Sequence, residues 1–424
     1  NTSASITNTM NNPVTILDRV IVNKGNSQAT TLICNIGGTL TTLTDNWLIL
    51  QNGTFRYMRT DPAADLTIST TTPFTIPATA GLSVDYANAN NRSVLIGNAS
   101  NNTGDLLLDG KLMLIRGNVY IGPVAAPANN NDIEYSGGGA SAIEIQGGNL
   151  VVNGQIRRNT STTNGILNYT QSGGTVTING NAANTGYAKL EVLNSGSGFN
   201  MSSGTLTIVR GGGTTYGDLY LRPESSSVTG GTIVFTNVIP NTLQNYLLDA
   251  NVPLNDLTIT GAAGAGLNAN LGLVVSPLVL NGTLILANAQ STFNSNNINV
   301  TIKGNMDNSG TYNFGTNTTT FNGGVQLISG SSVTSFNNLN VFSTNSLTVN
   351  SNFSVNQDLF IGSGTLILGN KKVMLSGNLV NNGSYTDDNT SGGISFSGTT
   401  QQQITGTGAY GKLEINNNAG ARLN

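Results

Sequence analysis

The sequence repeats itself at two lengths, and this constrains the fold more than any other feature. The short repeat is Gly-Thr or Gly-Asn followed by alternating apolar residues. It reads Gly148-Asn149-Leu150-Val151-Val152, Gly174-Thr175-Val176-Thr177-Ile178, Gly204-Thr205-Leu206-Thr207-Ile208 and Gly231-Thr232-Ile233-Val234-Phe235. The opening glycines recur every roughly 26 to 30 residues, a repeat-architecture period. Further copies begin at Gly282 and Gly364. Each reads as a short strand with one inward face, entered through a glycine that tolerates a tight bend.

The long repeat is an ordered series. Leu254-Asn255-Asp256-Leu257-Thr258-Ile259 returns as Phe336-Asn337-Asn338-Leu339-Asn340-Val341 and again as Tyr410-Gly411-Lys412-Leu413-Glu414-Ile415. The central leucines are spaced by roughly 74 to 82 residues. Between them Gly304–Tyr312 matches Gly377–Tyr385, Phe321-Asn322-Gly323 matches Phe396-Ser397-Gly398, and Gln326–Gly330 matches Gln402–Gly406. Tyr187-Ala188-Lys189-Leu190-Glu191-Val192 is an earlier copy of the leucine motif.

The short step suits one turn of a right-handed parallel β-helix, a β-solenoid with two or three strands per turn. The long repeat would then be about three turns. A tandem β-sandwich array is the rival, but its domains are longer than the short step and no Pro-rich linker separates the units. Composition agrees with the solenoid. Only 9% of residues are charged and 53 are Gly. Inward Leu, Ile and Val would build a continuous core, Gly and Asn would make the bends, and stacked Asn and Thr would form ladders, whereas stacked like charges would repel.

Two regions are expected. Residues 1–135 are a less regular β region and a candidate cap, holding Trp47 and denser charge around Arg56, Arg59, Asp61 and Asp65; residues 136–424 are regular solenoid. The chain starts Asn1-Thr2-Ser3 with no initiator Met, so either a leader has been removed or this is a piece of a longer protein. Gly420–Asn424 resembles Gly264–Asn268, so the repeats are expected to continue past the C-terminus.

Chemistry is sparse. With 0 His and 1 Cys there is no His triad, no His-ligated metal, no Cys-rich zinc site and no disulfide. Net charge is −3 without a basic stripe, which argues against nucleic acid, and no apolar run reaches the roughly 18 residues of a membrane span. Polysaccharide-cleaving sites need clustered acids. The local candidates are Asp61 with Asp65, Asp105 with Asp109 across a turn at Leu106–Leu108, Asp132 with Glu134, and Asp387 with Asp388. Each reads as a pair of solvated loop acids, although acids from different turns could converge. EF-hand and Gly-Gly-x-Gly-x-Asp calcium patterns are absent. Gly137–Gly139 and Gly211–Gly213 read as bends rather than phosphate loops. Asp218–Glu224 reads as a strand leading into a turn at Pro223, and Cys34 as a small core residue. Tyr216, Tyr312 and Tyr385 read as core-filling or capping rings. No catalytic, cofactor-binding or metal-binding residue is expected.

Stretches such as Tyr169–Ile178, Met201–Gly213 and Ser335–Val341 resemble, in repeat style, the giant repeat-rich cell-surface proteins of Bacteroidota, which include gliding-motility adhesins and other type IX secretion cargo. The likeness covers residues 135–424. It implies a secreted, non-enzymatic structural and adhesive rod on the bacterial cell surface. Its implied partners are the secretion and outer-membrane anchoring machinery and a surface polysaccharide. The alternatives are a carbohydrate-active β-helix enzyme, either lyase or hydrolase, and a phage or virion fibre.

Overall fold

A computed structural model describes residues 8–11, 16–35, 41–42, 45–59, 64–70, 72–87, 91–97, 105–124, 130–136, 141–159, 164–181, 183–213, 217–239, 242–262, 264 and 266–424. Asp61, Gly137–Gly139 and Tyr216 lie outside these. The described residues contain strands, bends and turns and no helix. The chain divides into two compact units, Asn1–Thr232 and Ile233–Asn424.

In the first unit three parallel ladders climb together. One stacks Leu66, Val94, Val119, Leu150, Val176 and Leu206. The Gly-Asn and Gly-Thr copies at 148, 174 and 204 are therefore successive turns, as their spacing predicts. The second ladder stacks Phe74, Leu106, Ile133, Ile156, Leu190 and Leu219. The third stacks Phe55, Leu82, Leu112, Ile143, Tyr169 and Phe199. All these side chains are buried, and in strands such as Lys111–Arg116, Ser141–Ile145 and Thr175–Ile178 the residues between the inward ones are more exposed. Burying each such side chain contributes about 1.5–3 kcal/mol. Parallel pairing of each short segment with the next copy of itself is solenoid geometry; a β-sandwich array would pair its strands antiparallel.

The glycine opening each turn is required sterically. Gly174 has φ of 65°, and a Cβ there would stand 2.5 Å from the Gly148 carbonyl oxygen one turn below. Asn side chains join successive turns: Asn149 donates to Asn118 at 2.8 Å on the outside, and Asn179 donates to the buried Asn153 at 3.0 Å.

Two local readings need correction. Leu106–Leu108 is a strand, because Leu106 and Leu108 are both fully buried in the ladder. The chain does not turn at Pro223. It stays extended over Leu219–Val228, and Pro223 lies opposite Asn194, where the partner strand shifts register before Gly198. Such an irregularity tolerates the missing N–H. The ladders also run through position 135, pairing Leu112 with Ile143 and Tyr135 with Arg158, so the first unit extends to Thr232.

The second unit also stacks in parallel, with shorter turns, and three of its ladders show the register. One stacks Leu278, Val300, Thr319, Leu339, Leu359, Leu379, Ile404 and Leu423. Its rungs follow one another every roughly 19 to 25 residues, at the short end for stacked repeats. Another ladder runs Leu257, Leu284, Met306, Ile328, Val349, and, through the Leu347–Leu366 pair, to Tyr385. The third face runs Phe336, Val355, Leu375, Phe396 and Ile415. Rings fill its centre: Phe336 makes edge contacts with Phe321 and Phe353, at centroid distances of 6.3 and 5.8 Å. Tyr312 and Tyr385 are buried, matching their expected core role.

Shorter turns change the meaning of the long repeat. It spans eleven strand positions, three and two-thirds turns, where three turns were expected. Leu257 lies in the ladder with Leu284, Leu339 in the ladder with Leu359, and Leu413 beside Ile394 on the remaining face. The intervening matches follow the same rule: Met306 and Leu379 lie in different ladders, as do Phe321 and Phe396. Each recurrence of the motif is displaced by one face around the axis.

Candidate functional site

Two features of the first unit gather polar chemistry. One is a groove of about 390 Å³ on the outer face of the third ladder. It forms because Gly81 and Ser83 on the strand Ala80–Tyr86 are small, while Thr54 and Arg56 rise on one side and Lys111 and Met113 on the other. Ser83 is directly in register with Arg56 and Met113. Arg56 pairs with Asp85, and Arg116 Nε donates to the same carboxylate at 2.7 Å. Burial pushes the Asp85 carboxyl up, but hydrogen bonds from Arg56 and Arg116 outweigh it and hold it below its ordinary value. Lys111 pairs with Glu144. Of the residues lining the groove, Arg56 and Lys111 are cations and none is an acid; Asp85, Arg116 and Glu144 stand outside its lining. Ser83 Oγ and Arg56 Nε are buried there without a hydrogen-bond partner among the described residues. Two unsatisfied donors in a concave, net-positive site suit an anionic or hydroxyl-rich ligand group.

The other feature is a buried charge cluster at the start of the second ladder's strands. Asp105, Asp132, Gln155, Lys189 and Asp218 each immediately precede a rung of that ladder, so they stack above one another. Carboxylate oxygens of Asp105, Asp132 and Glu134 lie within 4.8 Å of one another. Arg157 answers them: its Nε donates to Asp132 Oδ2 at 2.7 Å and its NH2 group to Glu134. Asp132 Oδ1 accepts the Gln155 backbone N–H at 2.6 Å, and Asp105 accepts that of Asp132 at 3.1 Å. Burial pushes the Asp105 carboxyl up to about 7, and the neighbouring Asp132 charge adds to it. Asp132 and Glu134 are also raised by burial, against the pull of Arg157. Arg158 Nε donates to Glu191 at 2.9 Å, and the Tyr187 ring covers the Arg157 guanidinium at 5.0 Å.

The structure therefore corrects the reading of Asp105, Asp132 and Glu134 as solvated loop acids. Parallel stacking brings Asp105 and Asp132, one turn apart, into contact, and Asp132 is fully buried. As a cation site the cluster is poorly suited, since a guanidinium already holds two of its three carboxylates. The other acids behave as loop acids. Asp65 accepts the Ser93 N–H at 2.8 Å. Asp109 pairs with Ser136. Exposed Asp388 is held below its ordinary value by hydrogen bonds from Thr390, Gly392 and Ser391, and Asp387 accepts the Lys412 N–H at 2.6 Å. Gly213 lies in an irregular segment after the strand Thr205–Ile208, with no bend or turn at Gly211–Gly213, and donates its N–H to Asp218 at 2.7 Å. Cys34 is fully buried, as expected of a core residue.

The sequence did not single out Arg56, Ser83 or Lys111 as a group, because their proximity depends on register between turns. These features define a parallel β-solenoid with a small mixed groove and an internal ionic cluster. No family model, curated protein or solved structure matches the chain. No helix among the described residues is long and apolar enough to cross a membrane.

Proposed function

We propose that this is an extracellular, non-enzymatic structural and adhesive protein of a bacterial cell surface, carried there by secretion and outer-membrane anchoring machinery of the type IX kind. The observation that carries the reading is the groove at Arg56 and Ser83, a ligand-sized recess with unsatisfied donors on an otherwise self-paired solenoid face. A parallel ladder with a dry core resists unwinding and proteolysis, as a surface spacer requires. The groove supplies adhesion, and an acidic surface polysaccharide fits its charge. The test is retention of the full chain on immobilised polygalacturonate. Binding that is lost in Arg56→Ala and falls with salt supports the reading; equal binding by Arg56→Ala contradicts it.

A carbohydrate-active β-helix enzyme is the second reading. It draws on Asp105, whose raised carboxyl lies beside Glu134 as an acid beside a base would. Cleavage of a polysaccharide by the purified chain, abolished in Asp105→Asn, would favour it over adhesion alone.

A further inference from the structure

Ser83 is only 3% exposed, yet it lines the groove. It stands in register with Arg56 on one neighbouring strand and with Met113 on the other, so the three side chains rise side by side at roughly the 4.8 Å strand spacing. Arg56 commits its NH2 group to Asp85, a carboxylate that Arg116 Nε also holds at 2.7 Å. This clamp leaves Arg56 Nε buried without a hydrogen-bond partner, and Ser83 Oγ lies buried on the adjacent strand in the same condition. Neighbouring polar groups are turned elsewhere. Thr54 Oγ1 donates to the Gln28 carbonyl at 2.7 Å, Gln28 Nε2 donates to the Ala78 carbonyl at 2.9 Å, and Lys111 pairs with Glu144. Gly81 keeps the recess open, since a Cβ there would stand 2.7 Å from Thr54 Oγ1.

We propose that Ser83 and Arg56 form a specificity-determining seat for the carboxylate of a uronic acid residue, which rests on the adhesive reading above and names the acidic group it selects. A carboxylate has two oxygens in one plane, and two adjacent donors, one of them charged, satisfy one oxygen each. A sulfate ester has three terminal oxygens. Seated here it would leave one of them against the apolar side of the lining, Met113 and Ile115, with no donor to meet it. Arg56 alone would attract any anion; the Ser83 hydroxyl supplies the second donor that discriminates between them. Met113 and Ile115 suit the C–H face of the sugar ring. Asp85 is the positioning residue, because its bond to the NH2 group fixes how the guanidinium sits over the seat.

The test is elution of the full chain from immobilised polygalacturonate by free galacturonate and by galactose 6-sulfate, compared at equal ionic strength. These two hexoses carry the same charge and differ in the anionic group. Galacturonate should elute the chain at a concentration about tenfold lower. The uncharged methyl ester of galacturonate should not elute it. Ser83→Ala should close most of the gap between the two anions. Arg56→Lys keeps the charge but loses the planar donor, so it should close the gap while some retention remains. Circular dichroism confirms that both variants fold. Equal potency of the two sugars on the wild type overturns the seat, as does a wild-type gap in Ser83→Ala; retention lost in Arg56→Ala would then still uphold adhesion. A wild-type chain that is not retained even at low salt removes adhesion and the seat together.

Discussion

Leu257 and Leu339 hold the same place in the sequence repeat but lie in different ladders of the solenoid, Leu257 beside Leu284 and Leu339 beside Leu359. The sequence unit and the structural unit are thus different things. The stacking unit is a single turn, whereas the sequence unit is eleven strand positions. Stability in a solenoid is local to neighbouring turns, so deletions should respect the turn. Removing residues 340–359 places Phe360 where Asn340 stood and keeps every later residue on its face. This variant should retain the β-sheet circular dichroism signal and cooperative melting. Removing residues 340–349 should abolish cooperativity, because the following inward residues lose their places.

The ring cluster gives a prediction for packing. Phe336 is fully buried and touches Phe321, Tyr312 and Phe353. Phe336→Ala should cost about 3–5 kcal/mol in urea unfolding of the second unit. Val325→Ser, at a position 72% exposed, should change it by less than about 0.5 kcal/mol.

Much of this fold was legible in the sequence, and the residues say why. Apolar alternation after Gly148, Gly174 and Gly204 encodes inward faces directly, and their spacing encodes the turn. The second unit was harder. Its turns lack the long loops of the first, so successive rungs at Thr319, Leu339, Leu359 and Leu379 crowd closer in sequence while the visible repeat keeps its length. The number of turns could not be read from that repeat alone. Pro223 misled because proline usually ends a strand, whereas here a register irregularity opposite Asn194 accepts it. The site was the least legible. Arg157 meets Asp132 and Glu134, and Arg56 meets Asp85, across turn lengths that vary from rung to rung.

The glycine column predicts an asymmetry between two substitutions. Gly174→Ala must adopt positive φ and drive a methyl into the Gly148 carbonyl, so it should cost more than the about 1–2 kcal/mol of backbone strain alone. Gly212→Ala also has positive φ, but no atom lies within 4 Å of its added carbon, and it should cost only the strain. Chemical denaturation of the two variants compares them.

Asp105 makes stability depend on pH. Its carboxyl is raised from 3.8 to about 7 in the fold, chiefly by burial, so the folded chain holds this proton more tightly than the unfolded chain. The resulting stabilisation is complete below about pH 4 and is lost as pH rises through 7. Asp105→Asn, which cannot ionise, should melt higher than the wild type at pH 8 and nearly level with it at pH 4. Melting temperatures across that range measure the difference.

The central claim is that consecutive turns stack in parallel register, and engineered disulfides read it directly. In a background carrying Cys34→Ser, Thr348→Cys with Ile367→Cys, and Ile367→Cys with Thr386→Cys, join positions that are paired on adjacent strands. Both pairs should oxidise fully in the folded chain, since neighbouring strands about 4.8 Å apart suit a disulfide. Thr348→Cys with Thr386→Cys, two turns apart, should remain reduced. Failure of the two adjacent pairs, or efficient closure of the distant one, would contradict the stacked-turn architecture.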